Sequence, residues 1–116
     1  MTLSKEYTTD FVISKDGTKI GYWQLGSGEG LILVHGGLMA SQNFMGLAKE
    51  FSNEFTVYIP DRRGRGLSGT NIDSHILKAE SEDIQAIISK TKTQNIFGLS
   101  SGAIVVLQTA IIEPAL

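Results

Sequence analysis

The chain has 116 residues, 41% hydrophobic and 19% charged, enough for one globular domain and no more. Ten Lys and Arg against twelve Asp and Glu leave a formal net charge of -2, so no global electrostatic attraction to nucleic acid or to an anionic membrane is expected. The lack of cysteine excludes disulfides, zinc-thiolate sites and thiol catalysis, and fits a reducing cytoplasm, the expected location.

The N-terminal MTLSKEYTTDF has no apolar stretch of signal-peptide length. DFVISKDGTKIGYWQLG then predicts two short strands around an Asp16-Gly17 hairpin turn. GSGEG follows as a flexible turn. A dinucleotide fingerprint would need glycine where Leu31 stands, and would join a strand to a helix instead of preceding a strand. LILVHGG, four aliphatic residues ending in glycines, has the pattern of a strand buried on both faces and suggests a parallel sheet. Phe44, Leu47, Ala48 and Phe51 fall at helical spacing, with Ser41 or Asn43 as cap, and predict the first crossover helix.

FTVYIPD reads as a second buried strand and DRRGRGLSG as a glycine-rich turn, its arginines beside Asp61 forming a solvated loop. Ile84, Ile87 and Ile88 mark an amphipathic helix, and NIFGLS is a third buried strand. A helix from about Ser101 stops near Glu113-Pro114, because proline disfavours helical geometry in the residue before it. Its apolar run, from Ala103 to Ile112, is about half a membrane span and predicts a buried helix, not a membrane segment. His35 and His75 lie far apart without a ligand set around them, so neither a metal nor a cofactor is expected.

The chemistry concentrates at FGLSSGA. A serine where a parallel strand turns sharply into a helix takes a strained backbone, and its neighbours two positions away on either side must be small. Gly98 and Gly102 hold those positions around Ser100. At the helix N-terminus the Ser101 amide can stabilise an oxyanion, and the HGG loop offers a second amide, of Gly37 or Leu38. Leu38, Met39 and Phe44 can line the acyl side of a pocket, although core packing accounts for Phe44 equally well.

LILVHGG, YIPDRRGRGLSG and FGLSSGA, in that order, make the chain from about Asp10 onward resemble the α/β-hydrolase fold serine hydrolases. The resemblance implies an α/β fold with an N-terminal β-hairpin, then parallel strands with crossover helices, ending after the helix that follows the nucleophile. It implies Ser100 as nucleophile, the amides of Gly37 and Ser101 as oxyanion hole, and an ester, amide or related bond of a small molecule as substrate. His35 matches a motif histidine that orders the loop, together with Gly36, and Asp61 matches a turn residue; no motif supports a catalytic His75.

Triad partners in this fold follow the serine, first an acid and then a histidine. The sixteen residues after Ser100 hold Glu113 and no histidine, and Glu113 would sit roughly 18 Å along the helix. Residues 1–116 are therefore expected to be the N-terminal portion of one hydrolase domain, lacking triad acid and base. Expected partners are a small-molecule substrate once the domain is completed, a complementing C-terminal half, or a second copy at the unpaired sheet edge. The alternative is a catalytically inactive fragment acting at most through that edge. A further reading keeps the elbow for lyase or cofactor-free oxygen chemistry.

Overall fold

A computed structural model describes residues 7–70, 76–114 and 116. Asp16 turns the first hairpin: its Oδ1 accepts the Thr18 N-H at 3.0 Å, and Gly17 takes φ +89°. Strands β1 (Thr8–Ile13) and β2 (Lys19–Gly26) consequently pair antiparallel, with Ile13 opposite Lys19 and Thr8 opposite Gln24. GSGEG is a turn, as expected, with Gly26 and Gly28 at φ +89° and +114°. It leads into β3 (Glu29–Val34), yet β2 does not pair with β3.

A 3-10 turn at Ser41–Phe44 and a short helix α1 (Met45–Phe51) carry the chain across to β4 (Phe55–Pro60), which slots between β2 and β3. β4 is antiparallel to β2, with Tyr22 opposite Pro60, and parallel to β3, with Leu31 opposite Val57. Helix α2 (Ile76–Thr91) returns the chain to β5 (Ile96–Gly98), parallel to β3 with Gly98 beside Val34, and helix α3 (Ser101–Ile112) follows. The strand order is β1-β2-β4-β3-β5.

Helices pack on both faces of the central strands β3 and β4, so LILV and VYI within them are aliphatic or aromatic. Along β3 the side chains alternate: Ile32 and Val34 pack with Ile84, Ile87, Ile88 of α2 and Val105 of α3, whereas Leu33 packs with Phe44, Ala48, Val57 and Ile59 beside α1. Each buried Val, Leu, Ile or Phe among them contributes about 1.5–3 kcal/mol.

Three expectations are corrected. The α1 stripe is narrower than its spacing suggests: Phe44 and Ala48 are buried, but Leu47 and Phe51 are 39% and 38% exposed. The 3-10 turn ends at Phe44 and shifts the phase of the seven-residue helix, and the Phe51 ring meets Phe55 edge-on at 6.1 Å. Neither Ser41 nor Asn43 occupies a cap position, which is Ala40 for the 3-10 turn and Phe44 for α1; Asn43 reaches back from inside the turn, its Oδ1 accepting the Ala40 N-H at 3.0 Å. Helix α3 is not a buried helix. Gly102, Val105 and Thr109 face inward, while Ile104, Leu107 and Ile111 are 56%, 65% and 77% exposed, because no described residue covers their side. Among the described residues no helix is long and apolar enough to cross a membrane.

Candidate active site

Ser100 stands exposed at the junction of β5 and α3, with φ 56° and ψ -123°, a backbone region that side chains other than hydrogen rarely occupy. The junction is sharp because three backbone bonds close it. Leu99 N-H donates to the Val34 carbonyl at 3.1 Å, Gly102 N-H to that of Leu99 at 2.9 Å, and Ala103 N-H to that of Ser100 at 2.9 Å. The helix start thus lies directly on the strands. A Cβ on Gly98 would come within 2.6 Å of the Gly102 carbonyl oxygen, and one on Gly102 within 2.5 Å of the carbonyl oxygens of Val34 and His35. Both positions require glycine for the reason their spacing suggested.

The loop after β3 comes to the same point. A Cβ on Gly36 would lie 3.4 Å from Ser100 Cβ, and one on Gly37 would lie 3.1 Å from Ser101 Oγ. The Gly37 and Ser101 segments therefore adjoin the serine. At the first residue of α3 the Ser101 N-H has no acceptor within its own helix. Gly36 N-H donates to Met39 Sδ at 3.4 Å. Leu38 is wholly exposed, so no described residue walls a pocket over it, and Phe44 belongs to the core beneath.

His35 is fully buried, and both ring nitrogens are committed to the backbone. Its Nε2 accepts the Arg62 N-H at 3.0 Å, so the proton resides on Nδ1, which donates to the Gly36 carbonyl at 2.8 Å. Burial pushes the imidazole below its ordinary pKa against the pull of that carbonyl, and the charges of Arg62 and Arg65 add to the depression. A neutral ring with both nitrogens engaged orders the loop and has no free lone pair for the serine proton.

The DRRGRG turn departs furthest from expectation, since its first two arginines are not solvated. Arg62 forks onto Glu80 of α2, Nε to Oε1 at 2.5 Å and Nη2 to Oε2 at 2.8 Å, while Nη1 donates to Ser101 Oγ at 2.8 Å and to the His35 carbonyl at 3.2 Å. Arg63, 1% exposed, forks onto Asp83 of α2 at 2.9 and 2.6 Å and reaches Asp16 of the first hairpin at 2.8 Å. Asp61 is buried, accepting the Ser41 N-H at 2.7 Å and the Leu67 N-H at 2.9 Å, which fixes the turn from within. A signal for these partners was present: Glu80 and Asp83 share a helical stripe with Ile84 and Ile87, so two acids point where only apolar side chains would be at ease.

No base for Ser100 appears among the described residues. Glu113 lies beyond the far end of α3, where Gln85 Nε2 approaches its Oε1 at 3.5 Å. His75 lies outside the described residues. Among the described residues no group of three His, Asp or Glu side chains gathers as a metal site.

The family model described as alpha/beta hydrolase fold matches residues 30–116. The chain belongs to this family. An uncharacterized hydrolase of Bacillus subtilis (strain 168), YraK, is 34% identical to it, over 84% of this chain and 38% of the relative. The crystal structure of an alpha/beta hydrolase from Sphaerobacter thermophilus superposes with TM-score 0.83 at 38% identity, covering 90% of this chain and 40% of that one. The bottromycin epimerase BotH, solved with bottromycin A2, superposes with TM-score 0.78 at 30% identity, covering 88% of this chain and 43% of that one. The chain thus spans about two fifths of the length of these relatives and presents a partial α/β-hydrolase fold.

Proposed function

We propose that Ser100 is the nucleophile of a hydrolase that cleaves an ester, amide or related bond of a small molecule. The observation that carries this reading is the strained Ser100 backbone, φ 56° and ψ -123°, held between Gly98 and Gly102 at a strand-to-helix turn. Strain of about 1–3 kcal/mol persists where the surroundings over-determine it, and here it thrusts one hydroxyl out beside a helix N-terminus.

In the reaction Ser100 Oγ attacks the substrate carbonyl as its proton passes to a base. The carbonyl oxygen becomes an oxyanion, accepting hydrogen bonds from the Gly37 and Ser101 amides. Collapse expels the alcohol or amine, protonated by the base, and leaves an acyl group on Ser100. Water, deprotonated by the same base, attacks that acyl carbon and releases the acid and the free serine.

The base and its orienting acid come from outside residues 1–116, either from later strands of the same domain or from a complementing chain. Without a histidine base, turnover falls by about 10⁶, roughly 8 kcal/mol of barrier, so these residues alone are nearly inert. The cytoplasm is the proposed location, consistent with a cysteine-free chain.

A second reading, a non-catalytic fragment acting through its sheet edge, draws on the exposure of Phe97 and Leu99, 45% and 40%, beside β5. The two are separated by incubating the protein from its natural source with p-nitrophenyl acetate. A burst of p-nitrophenol with an acetyl group mapped to Ser100 is expected. Release without acylation of Ser100, or no release, overturns the serine-hydrolase reading.

A further inference from the structure

Ser101, the residue after the proposed nucleophile, carries a hydroxyl as well as an amide, and Arg62 holds it. Four nitrogens of Arg62 donate five hydrogen bonds at once. The backbone N-H goes to His35 Nε2 and Nη1 to both Ser101 Oγ and the His35 carbonyl, while Nε and Nη2 take the two oxygens of Glu80. The arginine and glutamate side chains are only 9% and 8% exposed, so the fork is pinned to α2 out of water.

One rigid, planar group therefore spans two segments that arrive from different parts of the chain: the loop after β3, carrying Gly37, and the first turn of α3. The Ser101 oxygen lies at the seam between them, 3.1 Å from where a Gly37 Cβ would stand. A lysine would keep the charge and lose the fork, since its ammonium cannot serve three planar directions together.

We propose that Arg62 is a positioning residue, gripping Ser101 Oγ and the His35 carbonyl so that the Gly37 and Ser101 amides stay aligned on one oxyanion. The proposal rests on the reading of Ser100 as nucleophile. An ion pair that merely tied α2 to the turn would need Glu80 but not the Ser101 hydroxyl. Truncating that hydroxyl therefore separates alignment of the site from support of the fold.

The test is the second-order rate of fluorophosphonate labelling, together with kcat and KM for p-nitrophenyl acetate. It uses the protein at the length found in its natural source, as wild type, Ser101→Ala, Arg62→Lys and the double variant. Each single change is expected to lower the labelling rate and kcat roughly ten- to a hundredfold with KM little altered, the scale of a misplaced catalytic contact. The double variant is expected to be no slower than the slower single one, because both changes cut the same link. Ser101→Ala leaves the Arg62–Glu80 pair intact, so it decides the matter even if Arg62→Lys folds poorly. Ser101→Ala at the wild-type rate, or losses that multiply in the double variant, overturns the role of Arg62 alone. Wild type that takes no label overturns the Ser100 reading and this inference with it.

Discussion

Ser100 combines the proposed chemistry with backbone strain, and the two can be separated by substitution. Glycine accepts φ 56° and ψ -123° without a Cβ penalty. Ser100→Gly is therefore expected to raise the unfolding free energy by about 1 kcal/mol while removing the nucleophile. Equilibrium urea denaturation measures this, and an unchanged or lower stability would argue that the junction is not strained.

His35 predicts a pH dependence of the fold. Its folded pKa lies below the unfolded value of about 6.5, so the unfolded chain binds more protons as pH falls below that point. The stability tied to neutral His35 is full above about pH 6.5 and is lost progressively below it. Asp16 acts further down: hydrogen bonds from Arg63 and then Thr18 hold its carboxyl well below the usual carboxylate range. Its contribution is present above about pH 4 and lost as pH falls through the depressed folded value. Denaturation midpoints measured from pH 8 to pH 3 should therefore decline first near 6.5 and again near 4. His35→Gln should abolish the first decline only.

At the scale of elements, the DRRGRG turn fastens the first hairpin and α2 to the sheet through Arg63, whose fork on Asp83 is buried on both sides, 1% and 4% exposed. Arg63→Met strands Asp83 in an apolar setting and is expected to cost about 3–5 kcal/mol. Arg63→Met combined with Asp83→Leu should recover much of that loss in the same denaturation assay. Equal instability of single and double variants would contradict the account.

Such pairs mark the limit of what a sequence exposes. LILV and FTVYI announce strands because burial on both faces selects nearly unbroken aliphatic and aromatic runs. NIF also forms a strand, but the buried strand expected there is an edge strand with Phe97 45% exposed, because no described strand or helix covers its outer side. Ser100 with Gly98 and Gly102 is legible because a sharp turn leaves no room for other residues. Arg62 and Arg63 read as solvated because their partners, Glu80, Asp83 and Asp16, lie 18 to 47 positions away, and only folding brings them together. The insertion of β4 between β2 and β3 is hidden likewise, since GSGEG indicates a turn but not which strand pairs beyond it.

At the scale of the whole molecule, the described residues leave one side of α3 and the outer edge of β5 uncovered. Ile104, Leu107, Ile111 and Ile112 form an exposed apolar face on α3, next to the edge strand β5. Contiguous apolar surface beside an unpaired edge drives association. The isolated 116-residue chain is expected to sediment as oligomers, and Leu107→Lys with Ile111→Lys should shift it toward monomer. A monodisperse monomer of the unmodified chain would contradict this.

The intact mass of the protein from its natural source, before and after a fluorophosphonate, reports chain length and the reactivity of Ser100 together. A mass above that of the 116 residues, with an adduct mapped to Ser100 and absent from Ser100→Ala, is the predicted result. An unreacted protein, or an adduct on any other residue, would contradict it.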